Sequence, residues 1–91
     1  MSEQAAYNAI KKEIAKAKSK FPWWPADPVH AAAIVAEESG ELTQAALQFT
    51  YEKGSYTAML DEAIQVGAMA ICFIEAIREY KERKSEQITN Q

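Results

Sequence analysis

Apolar residues recur along this chain at spacings of three and four, which is the period of helices packed on one face. In residues 2–20 the repeating positions are Tyr7, Ile10, Ile14, Ala17 and Phe21, with lysines and glutamates on the other faces. The pattern stops at Pro22-Trp23-Trp24-Pro25-Ala26-Asp27-Pro28, because three prolines in seven residues cannot continue a helix. Asp27 before Pro28 is a helix start, with Asp27 as N-cap and proline at the first helical position. The second helix is expected from Pro28 to about Lys53, with Gly54 as its stop. A third follows from about residue 57 to 85, with Ser55 or Thr57 as its cap. The expectation is an all-α domain of three main helices: an N-terminal helix over 1–21, a Pro/Trp loop over 22–27, a helix pair over 28–85 and a polar tail over 86–91.

The third helix carries Met59, Leu60, Ile64, Val66, Met69, Ile71, Phe73, Ile74 and Ile77 around most of its circumference. Only Asp61, Glu62, Gln65, Cys72 and Glu79 break that surface. A helix apolar nearly all round is buried on several sides, and two partners in a chain of 91 residues cannot cover it. A bundle completed by further copies, as a homodimer or homotetramer, is the expected arrangement.

On the second helix, His30, Ile34, Glu37, Glu41, Gln44 and Gln48 project onto one narrow stripe, with Glu38 at its edge. Apolar stripes flank it on both sides, Val35, Leu42, Ala46 and Phe49 on one and Val29, Ala36 and Leu47 on the other. Ala32, Ser39, Thr43 and Thr50 form a mild solvent face opposite. A merely solubilising run of acids would lie away from apolar surface, whereas these are bordered by it. Carboxylates so placed need a cation. A second acidic group, Asp61-Glu62-Ala63-Ile64-Gln65, follows about twenty residues later. Residues three apart on a helix share a face, so Glu38 with Glu41 and Glu62 with Gln65 make two rows of oxygen donors. Rows of hard oxygens suit magnesium, which usually arrives with phosphates. One geometric difficulty stands out. In a tight hairpin turning at Gly54 the two rows are out of step by about six residues, roughly 9 Å along the axis.

Composition narrows the classes. The net charge of −3 speaks against a general nucleic-acid binder. One cysteine excludes an internal disulfide and fits a reducing cytoplasm. The longest uncharged apolar run, Val66 to Ile74, falls short of a membrane span, so a soluble cytoplasmic protein is expected. The adjacent tryptophans admit two readings: plugging a bundle end or interface, or one ring stacking on a nucleobase. His30 is read as a capping or packing residue or as a ligand, and mid-helix Gly40 hints at close approach by another helix or a ligand.

Glu37-Glu38-x-x-Glu41, a twenty-residue spacer and Glu62-x-x-Gln65, in the context Ile34-Val35-Ala36-Glu37-Glu38-Ser39-Gly40-Glu41-Leu42, resemble the MazG-like all-α nucleoside triphosphate pyrophosphohydrolases over about residues 28–80. The resemblance implies magnesium-dependent cleavage between the α and β phosphates of an NTP or dNTP, giving a nucleoside monophosphate and pyrophosphate. Glu38, Glu41 and Glu62 would be metal ligands for Mg2+ or Mn2+, and Glu37 would orient or deprotonate the attacking water. Gln65 departs from the family's usual Asp. It can still offer an oxygen, and Asp61 could lend the missing charge from the same stripe. Trp24, His30, Lys53, Arg78 and Lys81 are the candidate substrate contacts. Two other classes compete. A redox di-metal bundle needs Glu-x-x-His pairs, and His30 has no glutamate three residues before it. A non-catalytic helical module, whose acids bind a basic partner or a structural ion, stays open.

Overall fold

The computed structural model describes residues 1–89 and is all-helical, with α1 over Glu3–Lys20, α2 over Pro28–Tyr51 and α3 over Tyr56–Thr89. Each helix begins on a side-chain cap. Ser2 Oγ accepts from the Ala5 N–H, Asp27 Oδ2 from the His30 N–H and Ser55 Oγ from the Ala58 N–H. These contacts satisfy N–H groups that the first turn leaves without helical partners.

Two helix ends differ from the sequence expectation. α3 runs four residues past 85, to Thr89, because the charged segment after Tyr80 contains good helix formers and neither glycine nor proline. The last two residues of the expected tail lie outside the described residues. α2 stops at Tyr51 rather than Lys53. The residue with positive φ is Lys53, at 61°, and not Gly54. Gly54 is required for a different reason. Its N–H and that of Glu52 both donate to the Gln48 carbonyl, and a Cβ on Gly54 would lie 2.7 Å from the Gln48 carbonyl carbon.

That fold-back resolves the register difficulty. Phe49 and Tyr56 meet edge-on with ring centroids 6.0 Å apart, so the start of α3 lies beside the last turns of α2. The two rows meet: a carboxylate oxygen of Glu62 comes within 4.8 Å of one from Glu38 and one from Glu41.

α3 is the central helix. α1 and α2 each pack on it and, among the described residues, not on each other. α1 docks through half-buried Ile10, Ile14 and Ala17, with Ile10 seated against Gly67. Tyr7 and Phe21, expected on that packed stripe, are exposed. Tyr7 instead donates its hydroxyl to Glu3, and Phe21 has passed the end of the helix. On α2 only one of the two apolar flanks is covered. Ala31, Ile34, Val35, Leu42, Ala45 and Ala46 face α3, whereas Val29 is 77% exposed and Leu47 is exposed as well. Among the described residues the buried apolar side chains are Ala31, Ala45, Ala68 and Cys72, all small, and no large side chain is completely enclosed. By length and composition alone, α3 is apolar enough to cross a membrane, although it carries Asp61, Glu62, Glu75, Arg78 and Glu79.

Two glycine substitutions test this description. Gly54→Ala should destabilise by about 2 kcal/mol, because its neighbours are backbone atoms that cannot yield. Gly40, in mid-helix, has open space where a Cβ would stand. Gly40→Ala should therefore stabilise by about 0.5–1 kcal/mol through helix propensity. Urea melts of both variants measure these effects, and a loss of stability in Gly40→Ala would mean that something outside the chain packs there.

Candidate metal centre

Glu38 lies on the packed face of α2, among Ile34, Val35, Leu42 and Ala45, bordered by apolar surface as expected, whereas Glu37, Glu41, Gln44 and Gln48 on the rest of the stripe are exposed. Glu41 is exposed one turn further on, and Glu62 reaches toward them from the half-buried face of α3. One carboxylate oxygen from each of Glu38, Glu41 and Glu62 lies within 4.8 Å of the others. Carboxylate Oε atoms at this spacing can share a single hard cation.

The electrostatics of the cluster are unfavourable as it stands. Oε2 of Glu38 and Oε2 of Glu62 are shielded from solvent and have no hydrogen-bond partner. None of the three acids forms an ion pair among the described residues. Burial pushes the Glu38 carboxyl above the ordinary carboxylate value, and the charges of Glu41 and Glu62 push it further. Glu62 is raised for the same reasons, first by burial, then by Glu41, with Asp61 adding to it. Two orphaned, shielded carboxylate oxygens beside a third carboxylate fit a divalent cation, with Glu38, Glu41 and Glu62 as the residues that would hold it.

The remaining candidates are distributed more widely. Gln65, one turn beyond Glu62, is half-buried, while Asp61 is exposed and stands outside the group of three. Glu37 is exposed beside Glu38. His30 is exposed in the first turn of α2, where its backbone N–H is capped by Asp27. Lys53 sits in the α2–α3 connection, and Arg78 and Lys81 are exposed on α3.

Next to the cluster, α1, α2, α3 and the Pro/Trp loop enclose a groove of about 870 Å³. Glu38 and Trp24 both line it, whereas Lys53, Arg78 and Lys81 do not. The basic residues on its wall are Lys18 and Arg83, neither of which is among those candidate substrate contacts. Lys18 pairs with Glu75 at 3.0 Å, and this hydrogen bond is the main reason its ammonium is held above its ordinary value. The pairing joins residues 57 apart in the chain, so no local pattern could have announced it. Cys72 is buried on the same wall, and burial, followed by Glu75, pushes its thiol up and keeps it protonated.

Compared with family models, curated proteins and solved structures, the chain finds no match.

The raised carboxyls predict a pH dependence. Folding binds protons at Glu38 and Glu62 more tightly than the unfolded chain does, so their favourable contribution is complete below the ordinary value of 4.5. It is lost as pH rises through the raised values. In chelator, thermal stability should therefore fall as pH climbs from about 4.5 towards neutrality, and magnesium should oppose the fall. Glu38→Gln should raise the melting temperature of the metal-free protein at neutral pH by a few degrees. Melts across pH with and without magnesium make the check, and a rise in metal-free stability over the same window would contradict the charge balance described here.

Proposed function

We propose that this chain is a magnesium-dependent nucleoside triphosphate pyrophosphohydrolase of the MazG-like kind, cleaving an NTP or dNTP to a monophosphate and pyrophosphate. The observation that carries the reading is the convergence of Glu38, Glu41 and Glu62 within 4.8 Å, from two helices, on the residues at which the sequence resembles that family. When bound, magnesium (or manganese) supplies positive charge opposite the phosphate oxygens as the α–β bond breaks. Glu38, Glu41 and Glu62 hold it through their oxygens. Glu37, exposed next to Glu38, orients the attacking water and accepts its proton. Half-buried Gln65 contributes a neutral oxygen, and exposed Asp61 adds negative charge nearby. Lys18 and Arg83, on the wall of the groove, are better placed beside a bound nucleotide than Lys53, Arg78 or Lys81. Cytoplasmic placement belongs to the same reading, since the substrate is found there and Cys72 is a free thiol.

Oligomerisation is part of the proposal. The chain exposes 6889 Å², whereas a folded monomer of its mass exposes about 5,300 Å². The excess of roughly 1,600 Å² per chain is ample for the surface that each partner loses in a stable dimer. Exposed Val29, Leu47, Ile71 and Ile74 supply apolar area for such contacts.

Gln65 favours a second reading. A neutral residue where the family usually carries an acid would suit a helical module that binds a nucleotide or partner without turning it over.

Pyrophosphate release from a panel of NTPs and dNTPs separates the two. The hydrolase reading expects release with magnesium, none in chelator, and a loss of about 100-fold or more in kcat for Glu62→Gln. Magnesium binding without release from any nucleotide would leave the non-catalytic module. Gln65→Asp should tighten magnesium binding and lower metal-free stability, since it adds an anion beside Glu62 and Asp61. Equal destabilisation with and without magnesium would show that residue 65 packs and does not ligate.

A further inference from the structure

α1 is attached to the rest of the molecule less firmly than α2. It contains no buried residue, whereas α2 buries Ala31 and Ala45. Among the described residues it packs on α3 alone. Its large apolar contacts are two half-buried side chains, Ile10 and Ile14. Ile10 reaches the α3 backbone where Gly67 leaves room, since a Cβ there would stand 2.8 Å from Ile10 Cδ1. The polar tie between the two helices is the Lys18–Glu75 pair, with both side chains half exposed to water, and such pairs hold little. A helix of 18 residues that buries so little can leave the core while the α2–α3 pair persists.

The connection to α2 permits such a movement. Phe21 and Trp23 are 72% and 83% exposed, so their side chains do not pin the backbone just after α1, whereas Trp24 and Pro25 are half-buried. α1 supplies part of the groove wall through Ala17 and Lys18, and Cys72, the sole thiol of the chain, lies on the same groove at 7% exposure. Lys18 stands close enough for its charge to act on that thiol. We propose that α1 is a movable wall of the groove, which undocks from α3 by turning about residues 21–23 and bares Cys72 while α2 and α3 stay folded. The docked form shields the thiol, and the open form offers it to reagents. A group added to Cys72 holds α1 off, because a thiol this buried has no space for it beneath the docked helix. The device makes the groove sensitive to thiol chemistry, and it depends on neither magnesium nor the hydrolase reading.

The test is the rate at which a chromogenic aryl disulfide labels Cys72. The Cys72 thiolate attacks one sulfur, forms a mixed disulfide and releases the other aryl group as a coloured thiolate, which absorbance counts. Labelling of the wild type should run at least about 10-fold faster than global unfolding allows, with well under half the global dependence on urea. Ile10→Ala should speed it by about 10-fold and Lys18→Gln by about 2-fold. Leu42→Ala, on the α2 side, should lower the urea midpoint and leave the rate unchanged. The labelled protein should show fast amide exchange in α1 and retained protection in α2 and α3. The proposal is overturned if wild-type labelling has the full urea dependence of global unfolding, a result that needs no variant to fold. It is also overturned if Ile10→Ala and Leu42→Ala speed labelling alike, in proportion to their loss of global stability. A rate indifferent to Ile10→Ala in folded protein would overturn it too, and would show that the Pro/Trp loop rather than α1 covers the thiol.

Discussion

Three carboxylates held close together, two of them with oxygens out of reach of water, are the constraint on which the rest of this molecule turns. Like charges at this spacing repel, and burial removes the solvent that would soften the repulsion. The fold nevertheless brings them together, through a helix face that carries Glu38 inward and a connection that folds back at Gly54 to bring Glu62 within reach of Glu38 and Glu41. An arrangement that lowers the stability of the empty protein has a straightforward rationale if a cation occupies it. The repulsion is then exchanged for attraction, and binding stabilises the fold.

The frame around the cluster is thin. α3 serves as a spine with α1 and α2 laid against it, and the buried residues are small, Ala31, Ala45, Ala68 and Cys72, while larger side chains such as Ile10, Leu42 and Phe73 are only half-buried. Small residues allow close approach of the helix backbones but bury little apolar area per residue, so a single chain has a modest hydrophobic driving force. The gap left where α1 and α2 fail to meet becomes the groove beside the acids. The same openness that weakens the isolated fold therefore creates the space next to the candidate metal centre.

Much of this was legible in the sequence, and what was not has a common cause. Helix starts depend on neighbours three residues away, so Asp27 could be read directly and Ser55 as one of two candidates. Helical periodicity put Glu38 with Glu41 in one row and Glu62 in another, and the family resemblance implied that the three act together. Periodicity, however, defines faces without saying which face is covered. Val29 and Leu47 share a stripe but lie exposed, and of the acidic stripe bordered by apolar residues on α2 only Glu38 is drawn into the packed face. The axial register was hidden because it depends on Gly54 meeting the backbone of Gln48, a contact formed only after the chain turns. Which lysine of α1 faces the groove, Lys18, and the presence of Arg83 beside it were hidden for the same reason, since their place on the groove wall is set by how α1 and α3 pack.

The central claim is that Glu38, Glu41 and Glu62 together hold a divalent cation. The most direct measurement is a calorimetric titration of the metal-free protein with magnesium, repeated on Glu41→Gln. Glu41 is the exposed member of the three, so its substitution removes a ligand while leaving the packing of α2 on α3 intact. The account predicts saturable binding to the wild type and a loss of about 10-fold or more in affinity for Glu41→Gln. Absence of binding at millimolar magnesium, or equal affinity in the two proteins, would contradict it.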